Sequence, residues 1–156
     1  MSRTPRHDPE IKEAAIGDAP VIARLHRMTF DATYPTFPAL HTPEEDLEHF
    51  KEVIRDNRVL IALWKGNPAA YCAFGPGWLH DLYVDPPYQG RGLGTLLLNT
   101  VKAENRELQL WTFQENARAR AFYERHGFTA EEETDGCNDE GQPDVRYVWR
   151  QFPSAG

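Results

Sequence analysis

Residues 78–94, WLHDLYVDPPYQGRGLG, hold the side chains with the most chemical promise. An apolar strand pattern carries His80 and Asp81, two prolines break it, and the turn Gln89-Gly90-Arg91-Gly92-Leu93-Gly94 follows. Glycines ahead of a helix let backbone N–H groups converge, and the helix end adds partial positive charge, so such a turn can hold a phosphate. Three patterns use this device. A P-loop requires Gly-Lys-Ser/Thr, whereas Gly94 is followed by Thr95. The dinucleotide fingerprint G-x-G-x-x-G fails because Thr95 stands where the third glycine belongs. What remains is Q-x-x-G-x-G, a turn suited to a pyrophosphate without a metal ion.

The rest of the chemical inventory is sparse. Of the two cysteines, Cys72 lies in an apolar run and Cys137 in a polar loop. Neither has a CxxC or metal-ligand spacing, and neither is placed as a nucleophile, so no metal is expected. The formal charge of −7 on 156 residues excludes a basic nucleic-acid footprint. No apolar run reaches membrane-span length, and the polar start MSRTPRHDPE lacks a signal-peptide core. Two unpaired cysteines fit a reducing compartment. A cytoplasmic protein with no membrane or nucleic-acid partner is the expectation.

The elements that must position the glycine turn read as one alternating series. After a loose leader (1–9), residues 11–16 read as a short strand. Asp18 is expected to cap a helix whose apolar stripe is Val21, Ile22, Leu25, Met28, Thr29 and Ala32, broken at Tyr34-Pro35. Thr42-Pro43-Glu44-Glu45 is a capping box, opening a second helix with Leu47, Phe50 and Ile54 inward. Residues 58–64 and 69–74 form an antiparallel hairpin about Lys65-Gly66-Asn67-Pro68. Gly75-Pro76-Gly77 returns the chain into the opening strand. A helix follows Gly92 with Leu93, Leu96, Leu97, Thr100 and Val101 on one face. Residues 108–113 form the next strand, parallel to the opening one through a right-handed crossover. Asn116 caps a further helix that Gly127 closes. Short strands at 128–132 and 145–149 flank an acidic loop, 134–144.

At this point the chain resembles the GNAT superfamily of acetyl-CoA-dependent N-acetyltransferases. The first match is the strand ending Leu82-Tyr83-Val84, then Asp85-Pro86 and the Gln89–Gly94 turn. The second is Asn116-x-x-Ala119-x-x-Phe122-Tyr123-Glu124-x-x-Gly127-Phe128. The resemblance implies an α/β (α+β) fold: a mixed, mostly antiparallel sheet of six or seven strands, a parallel βαβ crossover at the acetyl-CoA site, and about four helices. It implies a single N-acetyltransferase domain over residues 10–152.

It also implies roles. Backbone groups of Leu82, Tyr83 and Val84 would meet the pantetheine arm, lying in the gap where the two parallel strands splay. Amides from Gln89, Gly90, Arg91, Gly92, Leu93, Gly94 and Thr95 would cradle the pyrophosphate, with Arg91 adding a charge contact or simply facing solvent. Asn116 would touch the pantetheine, or only cap its helix; Ala119 and Phe122 lie beside it. The reaction implied is direct attack of an amine on the thioester in a ternary complex. The Leu82 N–H would polarise the carbonyl, and Tyr123 would protonate the leaving thiolate. The base that deprotonates the amine stays open. His80 leads because its ordinary pKa suits neutral pH. Asp81 would need a strand bulge to bring it to that face, and a water chain is the third option.

The acceptor would be walled by Phe30, Tyr34, Phe37 and Trp78, with Asp135, Asp139, Glu140 and Asp144 nearby in the acidic loop. That combination suggests a small cationic amine with some apolar body. Two alternatives stand beside it: an acetyl-CoA-binding sensor without turnover, and a protein or peptide acetyltransferase. Dimerisation is common in the family, so a homodimer is open too, though no residue demands one.

Overall fold

A computed structural model of the chain describes residues 9–37, 41–136 and 141–151. Most of the leader, Cys137, Asp139 and Glu140 lie outside the described residues. In chain order the elements are β1 (Glu10–Glu13), α1 (Ala19–Thr33), α2 (Pro43–Asp56), β2 (Arg58–Trp64), β3 (Asn67–Gly75), β4 (Trp78–Val84), α3 (Leu93–Ala103), β5 (Glu107–Phe113), α4 (Ala117–Arg125), β6 (Thr129–Glu133) and β7 (Asp144–Arg150). The seven strands are hydrogen-bonded in the order β1-β2-β3-β4-β5-β7-β6. β1 with β2, β2 with β3, β5 with β7 and β6 with β7 are antiparallel. β4 with β5 is parallel, as the crossover through α3 requires. This is the mixed, mostly antiparallel sheet with four helices that the family resemblance implies.

The chain divides into two compact units. One comprises Met1–Phe74 and Asp81–Asn99, the other Gly75–His80 and Thr100–Gly156. In the first, Ala19, Ile22 and Leu25 of α1 and Phe50 of α2 close over Val59 and Ile61 of β2 and Tyr71 and Ala73 of β3. α2 starts where its capping box predicts: Glu45 N–H donates to Thr42 Oγ1 (3.2 Å), and Thr42 N–H donates to Glu45 Oε1 (3.0 Å). The β2–β3 hairpin turns on two left-handed residues, Lys65 (φ 50°) and Gly66 (φ 81°), between the paired Trp64 and Asn67. β3 begins two residues earlier than expected. Pro68 is tolerated within it because the register shifts between Ala62 and Leu63 opposite.

Three local expectations are corrected here. Met28 is exposed rather than part of the α1 stripe. At 100° per residue it lies roughly 115° from the centre of the face set by Ala19, Ile22, Leu25 and Thr29. Asp18 stands at the N-cap of α1 but its side chain makes no capping bond; its carboxylate accepts from Ala15 N–H (2.9 Å) and Lys12 Nζ (3.0 Å), closing the turn before the helix. The first strand spans Glu10–Glu13, and Ile16 falls in that same turn, exposed to solvent.

In the second unit, Leu108 and Leu110 of β5 and Val145, Tyr147 and Val148 of β7 are buried together with Tyr123 and Phe128. Asn116 caps α4, its Oδ1 accepting from Ala119 N–H at 3.0 Å. Gly127 (φ 88°) closes α4 in the left-handed region, as predicted.

Candidate active site

In the first unit the glycine turn is built on the end of β4. A short 3-10 turn, Pro86–Tyr88, lifts the chain off the strand. Gln89 Nε2 then donates to the Val84 carbonyl at 2.9 Å, tying the turn back to β4. Gly90 and Gly92 both sit at φ 80°, a conformation that penalises any side chain. A Cβ added at either would meet nothing within 4 Å. No atom of the described residues therefore demands glycine at these two positions, and among them the space over the turn is open to a ligand that approaches the backbone closely. Leu96 N–H bonds Gly92 O at 3.0 Å, so α3 begins immediately and directs its first-turn N–H groups out of its start. Arg91 is exposed, with its guanidinium carbon 5.0 Å from the centre of the Trp64 ring.

The same unit gathers an aromatic wall. Phe30, Tyr34 and Phe37, the three acceptor candidates of this region, contact one another, with centroids 4.9 Å (Phe30–Tyr34), 4.7 Å (Tyr34–Phe37) and 5.9 Å (Phe30–Phe37) apart. His26 continues the wall, 5.6 Å from Phe30 and 5.1 Å from Tyr83. Tyr83 in turn stacks on Tyr71 at 5.7 Å. The Tyr71 hydroxyl donates to Asp81 Oδ2 at 3.4 Å, a long bond. Asp81 and Tyr83 thus both meet Tyr71, as strand alternation requires, and Asp81 needs no bulge to join the aromatic side. Burial pushes the Asp81 carboxyl up to about 6, against the lowering effects of His49 and the Tyr71 bond. Burial drives the His26 imidazole down to about 4. It also pushes the Cys72 thiol up to about 12, which leaves that buried cysteine unreactive.

In the second unit, Asn116, Ala119, Phe122 and Tyr123 share α4. The Tyr123 ring is buried edge-on against Phe122 (5.3 Å) and Phe128 (5.4 Å), and tilted against Tyr147 (6.3 Å). Tyr147 is itself locked: its hydroxyl donates to Glu124 Oε2 (2.6 Å) and accepts from Arg120 Nε (3.0 Å). Sequence reading missed this Arg120–Tyr147–Glu124 network. Its only trace was Tyr147 alternating with Val145 on the inward face of β7. On β4, Trp78 is half-buried and makes the single parallel bridge to Gln109, while His80 is exposed. What desolvation His80 feels lowers its pKa from the ordinary imidazole value. Also absent from the sequence reading were Tyr71, on the strand before β4, and His26 and His49, which sit on helices far from β4 in the chain.

Among the described residues no cluster of three or more His, Cys, Asp or Glu is placed to hold a metal, and no helix is long and apolar enough to cross a membrane. The model of the acetyltransferase (GNAT) family matches residues 23–128. The chain belongs to that family. The match runs from α1 through the glycine turn and the α4 motif to Phe128. Among relatives, the uncharacterised N-acetyltransferase MJ1207 of Methanocaldococcus jannaschii is 33% identical over 87 residues, 46% of this chain and 38% of that protein. Mycothiol acetyltransferase of Beutenbergia cavernae is 40% identical over 79 residues, 47% of this chain and 25% of that protein. These matches thus span well under half the length of either relative. Among solved structures, apo YjaB of Escherichia coli superimposes with a TM-score of 0.76 at 17% identity, covering 91% of this chain and 97% of that one. The PaiA N-acetyltransferase of Thermoplasma acidophilum, solved with coenzyme A, gives 0.71 at 20% identity, covering 92% and 99%. At such identities these likenesses speak for the GNAT fold.

Proposed function

We propose that this GNAT chain transfers the acetyl group of acetyl-CoA to the nitrogen of a small cationic amine, and that residues 10–152 act as one catalytic domain. The observation that carries the reading is the glycine turn: two left-handed glycines whose missing side chains leave open space where α3 begins. Gln89 to Thr95 hold the pyrophosphate there through backbone amides. Backbone groups of Leu82 and Val84 bond the pantetheine, and Ala119 and Phe122 border it. The amine nitrogen attacks the thioester carbon, the C–N bond forms and the C–S bond breaks. The Leu82 N–H stabilises the oxyanion, and the sulfur takes its proton from Tyr123. The ammonium proton goes first to a base. Of His80, Asp81 and a water chain, Asp81 has the most support, because burial lifts its basicity toward neutral pH while desolvation weakens His80. Phe30, Tyr34, Phe37 and Trp78 border the acceptor.

The test is release of free thiol from acetyl-CoA over a panel of amines, followed by the Tyr123→Phe variant. Turnover is expected to fall about a hundredfold, with acetyl-CoA affinity within roughly twofold of the parent. An unchanged rate removes Tyr123 as the acid. Acetyl-CoA binding without turnover on any amine supports the sensor reading instead.

A further inference from the structure

The rings of the first unit make a continuous path that ends at one carboxylate. From Tyr34 it passes through Phe30, His26, Tyr83 and Tyr71, each ring within 6 Å of the next, to Asp81. Tyr71 and Phe50, at its base, are fully buried, as core residues are. Phe30, His26, Tyr83 and Asp81 are only partly buried, so the upper part of the path is a surface. His26 contributes a second, independent sign. Its Nδ1 is buried without a hydrogen-bond partner among the described residues, and so is Thr29 Oγ1 one turn further along α1. An unsatisfied buried imidazole nitrogen is destabilising, and a phenyl ring would fill the space without that cost. The other carboxylates of this region, Asp46 and Asp31, are already engaged by Arg27, at 2.5 and 3.7 Å. Asp81 differs from these two in that its bond, from Tyr71, is a long and neutral one.

Resting on the acyl-transfer reading, we infer that this wall selects an arylalkyl monoamine: its flat body lies on Phe30, His26 and Tyr83, and its single cationic nitrogen meets Asp81. An aliphatic polyamine or a short alkylamine leaves the rings uncovered. A stacked aromatic pair adds about 0.5–1.5 kcal/mol beyond its area, which corresponds to roughly two- to tenfold in affinity.

The experiment has two arms. In the first, kcat/KM is measured for 2-phenylethylamine, ethylamine and spermidine with the parent and with Phe30→Leu, which keeps an apolar side chain but removes the ring. The parent is expected to prefer 2-phenylethylamine about tenfold or more over the other two. Phe30→Leu should lower that substrate's kcat/KM about three- to tenfold more than it lowers ethylamine's. Equal losses on both amines, as a merely structural role would give, overturn the inference, as does a parent that prefers spermidine. The second arm needs no turnover. Binding of 2-phenylethylamine and of 2-phenylethanol to the CoA-loaded protein is followed by NMR line broadening, in the parent and in Asp81→Asn. The parent should prefer the amine and the variant should lose that preference. No preference in the parent, or a preference that survives in Asp81→Asn, also overturns it. Failure of every amine to turn over rejects acyl transfer alone, while this arm still decides the acceptor class.

Discussion

Asp81 and His80 are sequence neighbours on which desolvation acts in opposite senses. Removing water disfavours the charged form, so it raises a carboxyl and lowers an imidazole. Asp81 is lifted to about 6 and His80 falls below its ordinary value. A base must be unprotonated, so kcat/KM is expected to fall as pH drops through about 6, the value of the Asp81 group. His80→Gln should leave that acidic limb in place, and Asp81→Asn should abolish it along with most of the rate. A pH–rate profile between pH 5 and 9 checks this, and a limb that survives in Asp81→Asn but vanishes in His80→Gln would return the role to the histidine. Sequence reading ranks these two residues the other way because it sees intrinsic pKa values and strand alternation only. The lift on Asp81 comes from burial, against the lowering pull of His49 of α2 and of the bond from Tyr71 of β3. No local pattern announces that those residues will enclose it.

At the scale of elements, the features legible in sequence are those whose cause is local. The Thr42 box, the Lys65-Gly66 turn, the Asn116 cap and the Gly127 stop each act within a few residues, and each is where its residue types predict. The misplaced features depend on distant partners. β1 takes its extent from its pairing with β2, Glu10–Glu13 against Leu63–Leu60, and Asp18 bonds back to Lys12 and Ala15 rather than forward into α1. The glycine turn belongs to the legible class, and its local cause is testable. Gly92→Ala places a side chain at φ 80° without a clash, because its Cβ would meet open space. The cost to stability is therefore the left-handed penalty alone, about 1–2 kcal/mol. Affinity for coenzyme A should also fall, about tenfold or beyond, since on the proposed reading the methyl group would occupy the path of the pyrophosphate to the amides. Urea denaturation and calorimetric titration on the same variant separate the two effects. A variant that loses stability but keeps its affinity would remove Gly92 from the cradle.

For the molecule as a whole, the same aromatic wall sets a pH dependence of stability in which two groups oppose each other. His26 is held near 4, with Asp46 and Asp31 pulling its pKa upward and Arg27 and His49 pushing with burial. Unfolding frees it to an ordinary value of about 6.5, so the unfolded chain binds the extra proton and stability is lost as pH falls from about 6.5 toward 4. Asp81 has the opposite sign. Its folded pKa of about 6 lies above the ordinary carboxyl value of 3.8, so the native state holds the extra proton and stability is lost as pH rises through that window. Each effect is worth about 1–3 kcal/mol, and between pH 4 and 6 they largely cancel. Single substitutions should expose the hidden slopes. Asp81→Asn is expected to be more stable than the parent by about 1–3 kcal/mol at pH 7, with the advantage gone by pH 3.5. His26→Phe should gain on the parent by a similar amount as pH is lowered from 7 to 4, whatever constant packing change accompanies it. In the double variant the two pH-dependent differences should sum. Urea midpoints at pH 3.5, 4, 5.5 and 7 for the four proteins provide the measurement. An Asp81→Asn advantage that does not grow between pH 4 and 7 would mean that this carboxyl is no more desolvated in the folded chain than in the unfolded one, and the same surface could then offer no more than an ordinary carboxylate to an amine.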